Sequence, residues 1–266
     1  SLLEPTDVRL PPRRRDAHKY DAGVTVVAGS PGMTGAAALT ARAAFRAGAG
    51  YVRLGVPGVG ASAAGATEAV GIELPARGWA AAALAAGERM RAVAVGPGLG
   101  RAEGTRRDVA ELLGGCSLPV VVDGDGLRSL GLPAPAARPL VLTPHDGEYE
   151  HLAGAPVGDD RLASARALAA RTGATVLLKG PATIVADPGG EARFVTTGSP
   201  ALATAGTGDV LTGVLAAFLA QGLAPLDAAS VAACAHGLAA RAARRGAGLV
   251  ASDIPDHLPS VLWPAL

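Results

Sequence analysis

The chain of 266 residues has a net charge of +1, 18% charged and 49% hydrophobic residues and a mean hydropathy of +0.31, which suits one large domain or two small ones and excludes a chain disordered throughout. Sixty alanines against 3% aromatic residues mean that the core has to be built from Ala, Val and Leu. The charge balance leaves no electrostatic footprint for nucleic acid beyond Arg13, Arg14 and Arg15, which read as a solvated arm.

Residues 1–22, rich in Pro, Arg and Asp, read as an N-terminal arm or linker ahead of one domain over 23–266. From Val24 onward, short Val/Leu-rich runs alternate with longer Ala-rich segments. The runs are Val24–Ala28, Tyr51–Val56, Ala92–Val95, Pro119–Asp123, Leu140–Thr143 and Thr175–Lys179, too continuously apolar for half-exposed strands. Parallel strands covered on both faces have that composition, with segments 34–48, 103–114 and 159–172 as crossover helices. Thr183–Ala186 and Arg193–Thr196 flank Asp187-Pro188-Gly189-Gly190 and predict an antiparallel hairpin. Helices follow near 207–221, 226–245 and 252–262. The pattern predicts a layered α/β fold with a mainly parallel central sheet.

Cys116 and Cys234 lie far apart without metal-type spacing, so neither a disulfide framework nor a thiolate zinc site is supported. No apolar run of about 18 residues and no basic-then-apolar leader occurs, so neither a membrane span nor export is expected, and a reducing cytoplasm fits best.

Ligands of open α/β sheets sit at the carboxyl ends of the strands, and there the sequence is rich in small and polar clusters. Gly29-Ser30-Pro31-Gly32-Met33-Thr34-Gly35-Ala36-Ala37 opens a helix and is either a tight turn or an anion site at a helix start. Gly96-Pro97-Gly98-Leu99-Gly100 would let a ligand approach the backbone closely or simply form a loop. Asp123-Gly124-Asp125-Gly126-Leu127 places two carboxylates that either cap a helix or help to hold hydrated Mg2+. Thr143-Pro144-His145-Asp146-Gly147-Glu148 crowds one His and two acids at a helix start. No pair of histidines at i and i+4 supports zinc. Lys179-Gly180-Pro181-Ala182-Thr183 ends a buried strand in a lysine that must reach water or an anion. Most specific is Ala205-Gly206-Thr207-Gly208-Asp209, which opens a long apolar helix: its amides converge on an anion, and Asp209 can serve as dipole partner or as base on a hydroxyl. Anion holes, a lysine, a metal carboxylate and a base are the requirements of phosphoryl transfer.

In this order, together with Arg46-Ala47-Gly48-Ala49-Gly50, these motifs resemble the NAD(P)H-hydrate dehydratases of the ribokinase-like superfamily over about residues 16–245. The resemblance implies a three-layer α/β/α fold. It implies a repair enzyme that restores NADH or NADPH from the S epimer of the hydrate: a nucleotide phosphorylates the hydroxyl on the ring, and phosphate is then eliminated. It implies ADP as donor in bacterial members and ATP in eukaryotic ones, with Mg2+. Transferred motif by motif, Asp209 would be the base, and the Gly206, Thr207, Gly208 and Asp209 amides would steady the phosphoryl group. Ala36, Gly100, His145 and Asp209 would contact the hydrated dinucleotide. Lys179, Gly180, Pro181, Ala182, Thr183 and Gly208 would hold the nucleotide, and Glu148 would order Mg2+ through water. Gly124 and Gly126 stand where the family is expected to carry alanine and are expected to loosen that loop; Met33 replaces an expected tyrosine.

The resemblance also implies a homo-oligomer, often a tetramer, and a fused or partner epimerase, with Ser1–Arg15 similar to a joining segment. The apolar helices near 207–245 suit either a subunit interface or the core. The rival readings are a small-molecule kinase of the hydroxyethylthiazole or hydroxymethylpyrimidine type, against which His145 argues because those kinases tend to have Asn there, and a non-catalytic nucleotide sensor, which would need no Asp209 base.

Overall fold

Every residue of β1 (Gly23–Val27), β4 (Ala92–Val95), β5 (Val120–Val122), β6 (Leu140–Leu142) and β7 (Thr175–Leu178) is buried, because alternate side chains feed two different cores. Val24, Val26, Ala92, Ala94, Val121 and Val141 face one core; Val27, Val93, Val95, Val120, Val122 and Leu142 face the other. Side chains of a strand alternate between faces, so a strand sandwiched between helix layers is apolar throughout. The computed structural model describes residues 1–3, 10–63, 68–130 and 139–264; part of the expected N-terminal arm lies outside them.

With β2 (Tyr51–Gly55), β3 (Val70–Ile72), β8 (Thr183–Ala186) and β9 (Ala192–Val195), the strands form one sheet in the order β3-β2-β1-β4-β5-β6-β7-β8-β9. The pairings from β3 through β7 are parallel, and β7-β8 and β8-β9 are antiparallel. On one face lie α1 (Thr34–Arg46), α7 (Thr207–Ala220), α8 (Pro225–Ala242) and α9 (Leu258–Leu262). On the other lie α2 (Ala80–Ala86), α3 (Glu103–Gly115), α4 (Asp125–Ser129), α5 (Asp146–Ala153) and α6 (Arg161–Thr172). The expected mainly parallel three-layer architecture and the hairpin are therefore present.

The differences from expectation have local causes. Strand β3 is three residues with a central glycine, and α2 is a short run of alanines and one leucine, so neither carries a readable period. The single helix expected over 252–262 is two 3₁₀ turns, Ala251–Asp253 and Pro255–His257, followed by α9. Pro255 and Pro259 supply no N–H to an α-helical ladder. The start of the arm is tied down: Leu2 pairs in parallel with Phe194 of β9, and Leu3 is buried. No described helix is long and apolar enough to cross a membrane.

Of the two roles open to the apolar helices, the core accounts for their apolar faces: Val210–Ala220 are all buried within this one chain, as is most of α8. The alanine-rich composition serves close helix packing. A Cβ on Gly213 would lie 2.1 Å from the Thr40 carbonyl oxygen and 3.0 Å from the Ala44 nitrogen, both backbone atoms of α1. Gly213→Ala gains about 1 kcal/mol of helix propensity, but the clash with rigid backbone outweighs it. We expect a net loss of about 1–2 kcal/mol, read as a lower urea midpoint with unchanged slope.

Candidate active site

The sheet register carries Asp123, Thr143 and Lys179 to one edge. Val122 pairs with Val95 and Leu142, so Asp123 and Thr143 emerge side by side just past the strands. Asp123 is 2% exposed and fully engaged. Its Oδ1 accepts from Thr143 Oγ1 at 2.7 Å and Lys179 Nζ at 2.8 Å, and its Oδ2 accepts from Thr212 Oγ1 of α7 at 2.9 Å. Three donors offset the burial of this carboxylate. Asp125, the second carboxylate of the pair read as a helix cap or a holder of hydrated Mg2+, has donors of its own: Oδ2 accepts from the Gly100 amide at 2.9 Å, and Oδ1 from Arg101 Nε at 3.2 Å.

Gly124 and Gly126 do not loosen this loop. Gly124 has φ +55°, and a Cβ on Gly126 would lie 2.8 Å from Gly96 Cα. Gly126 lets the start of α4 pack directly on the glycine turn after β4.

Lys179 Nζ also lies 3.5 Å from Glu148 Oε2. Burial lowers the pKa of this ammonium, but Asp123 and Glu148 outweigh burial and hold it above the usual lysine value. Its side chain keeps 22% of its surface accessible, and the third N–H of the ammonium is available to a ligand.

Asp209 sits in the first turn of α7, which Gly206 enters with a left-handed φ of 89°. Only glycine fits that entry: a Cβ would lie 2.8 Å from Leu39 Cδ1 and 3.0 Å from Ala251 Cβ. Thr207 is buried, and its hydroxyl is shared between the carbonyls of Leu202 at 2.8 Å and Thr204 at 2.9 Å, which fastens the preceding loop to the helix. The Thr207 amide leans on Thr204 O at 3.4 Å. The anion-binding donors of this turn are thus chiefly the Gly208 and Asp209 amides, which have no carbonyl four residues back within the helix. The Asp209 carboxyl is pushed up to about 7 by burial first and then by the charge of Asp123. Lys179 pulls the other way, and Asp125 and Glu148 add to the rise. Those four charges fall on two sides, Asp125 with Gly100 and Asp123 with Lys179 and Glu148, and all act on Asp209.

A cavity of about 730 Å3 opens on the second of these sides, a size that suits a nucleotide. His145, Lys179, Gly180, Pro181, Thr183, Thr207 and Gly208 line it. Ala182, Ala36 and Gly100 are not among its lining residues. Ala36 instead abuts the turn at Gly98, whose Cβ would lie 3.0 Å from the Ala36 side chain. Asp209 does not line the cavity either, but follows Gly208, which does. Sequence reasoning missed Asp123 as the hub, and the wall formed by Ser199, Pro200, Leu202, Ala203, Ala233 and His236. Buried polar residues on apolar helices, Thr212 and His236, were the available signals.

His145 caps α5: its Nδ1 accepts from the Gly147 and Glu148 amides at 3.0 and 3.3 Å, and its own amide donates to Glu148 Oε2 at 2.9 Å. Glu148 is thus occupied by the helix cap and by Lys179. Among the described residues, no three His, Cys, Asp or Glu side chains cluster to hold a metal. With Glu148 3.5 Å from the cavity lysine, the donor set would suit a Mg2+ brought by nucleotide phosphates and water.

A family model described as NAD(P)H-hydrate dehydratase matches residues 24–261. The bifunctional NAD(P)H-hydrate repair enzyme of Salinibacter ruber is 42% identical over 98% of this chain and 52% of its own length. Its Mycobacterium tuberculosis counterpart is 45% identical over 86% of this chain and 48% of its own. The chain spans about half the length of the curated relatives it matches. Among solved structures, the ADP/ATP-dependent NAD(P)H-hydrate dehydratase of Bacillus subtilis, co-crystallised with ATP/Mg2+, has a TM-score of 0.80 and 27% identity, covering 98% of this chain and 96% of that one. A ribokinase-like superfamily protein of Enterococcus faecalis, at 24% identity and a TM-score of 0.87 over 98% of this chain and 94% of its own, shares the fold. By its sequence, its three-layer ribokinase-like fold and the arrangement of its strand-end motifs, the chain belongs to the NAD(P)H-hydrate dehydratase family.

Proposed function

We propose that the chain dehydrates the S epimer of hydrated NADH or NADPH, with ADP as phosphoryl donor and AMP and phosphate as products. The observation that carries this reading is Asp209: a carboxylate with a pKa of about 7, in the first turn of an anion-binding helix start whose Gly208 lines a nucleotide-sized cavity. A base poised near the working pH suits proton removal from a hydroxyl.

Asp209 takes the proton of the ring hydroxyl as its oxygen attacks the terminal phosphorus of the donor, and the bond from that phosphorus to the AMP oxygen breaks. The Gly208 and Asp209 amides and the Lys179 ammonium hold the phosphoryl oxygens as charge shifts. Elimination follows: the C–O bond breaks, phosphate departs in place of the poorer leaving group hydroxide, and the neighbouring ring carbon gives up its proton to an oxygen of the departing phosphate. Mg2+ brought by the nucleotide would neutralise phosphate charge beside Glu148. His145 lines the donor cavity and keeps an exposed ring, from which it can reach a dinucleotide bound alongside the donor. The description of the relatives as bifunctional, and their doubled length, support a second activity alongside this one, which by resemblance is epimerisation of the R and S hydrates.

The test is an assay of purified protein with hydrated NADH, Mg2+ and either ADP or ATP. Return of reduced-nicotinamide absorbance with stoichiometric phosphate is the expected result. Nucleotide consumption with a stable phosphorylated acceptor, and no absorbance, would point to a kinase instead.

A further inference from the structure

Four buried side-chain atoms among the described residues have no hydrogen-bond partner: Thr25 Oγ1, Arg53 Nε, Arg161 Nε and His236 Nε2. The two arginines bond through other nitrogens, and Thr25 lies inside β1. His236 alone of the four lines the cavity. It is 6% exposed and one turn beyond Ala233 on the cavity-facing side of α8. An unpaired polar atom that deep destabilises a fold unless a ligand completes it.

The lining combines Lys179 and Gly208, which suit phosphate, with the apolar Val195, Leu202, Leu211 and Ala233, which suit a sugar and base. The ring of His236 is uncharged at neutral pH: burial and, to a smaller degree, Lys179 outweigh a main-chain hydrogen bond at Thr207 and hold its pKa at about 4. An uncharged imidazole brings no charge to phosphate, and its unpaired Nε2 suits a neutral hydroxyl or base edge.

We propose that His236 is a specificity contact for the nucleoside half of the donor, its Nε2 hydrogen-bonding a ribose hydroxyl or the polar edge of the base. This rests on the nucleotide-donor reading above. The experiment titrates ADP, 2′-deoxy-ADP, 3′-deoxy-ADP and inosine diphosphate calorimetrically into the wild-type chain and into His236→Leu.

We expect ADP to bind the variant about tenfold more weakly, one analogue to bind the wild type about tenfold more weakly than ADP, and that second difference to shrink below about twofold in the variant. The analogue affected distinguishes sugar from base. Equal discrimination by both proteins, or unchanged ADP affinity, overturns the role of His236 while leaving the nucleotide site standing. A wild type that binds no ADP removes both. His236→Gln, which keeps a polar group, should be intermediate and serves if the leucine variant misfolds.

Discussion

Asp209→Asn is expected to lower turnover by about 10²–10⁴ while ADP binding stays within a few-fold, because the substitution removes the base and leaves the amides of the α7 turn in place. Wild-type kcat/KM should rise with pH and level off above about 7, where the carboxyl is ionised, and this limb should vanish in the variant. Stability should move the opposite way. The folded-state pKa is raised from the ordinary aspartate value of 3.8 to about 7, so between those values the native chain holds a proton that the unfolded chain has lost. Stability therefore falls as pH rises through that window, and the full cost is present above it. Asn carries no such charge. Melts at pH 8 should show the variant as the more stable protein, and melts near pH 4 should show the two converging. Unchanged turnover in Asp209→Asn would refute the assignment of the base.

Lys179→Met is expected to damage binding and folding together. Loss of one charged donor to phosphate should weaken ADP binding by about 10–100-fold, the equivalent of a charge-assisted hydrogen bond. The substitution also strands Asp123, whose side chain is 4% accessible, with only the Thr143 and Thr212 hydroxyls. Breaking a buried pair from one side costs about 3–5 kcal/mol, and the partial exposure of Lys179 places this case at the lower end. Asp123→Asn in the same background should restore much of the stability but none of the ADP affinity. Urea denaturation of the single and double variants measures the first, and calorimetry the second. Independent, additive losses from the two substitutions would contradict the coupling, and unaltered ADP affinity would remove Lys179 from the nucleotide site.

The layered fold, most strands and the motifs of the site were legible in the sequence. Short continuous apolar runs such as Val24–Ala28, alternating with longer helical segments, suit strands covered on both faces, and Gly206-Thr207-Gly208-Asp209 before an apolar run carries its own helix start. Family membership was legible there too, since Thr143-Pro144-His145-Asp146-Gly147-Glu148 and Lys179-Gly180-Pro181-Ala182-Thr183 are local patterns. Contacts between groups far apart in the chain were not legible. Lys179, Thr143 and Thr212 meet on Asp123 from 56, 20 and 89 residues away, so no spacing rule could show it as a hub. His236 reads as one polar residue in an alanine helix until the loop at Ser199–Ala203 and the Lys179 strand end close a cavity beside it. The pKa of Asp209 arises the same way, because burial and the sum of four charges from separate strands and helices exist only once the sheet has brought them to one edge.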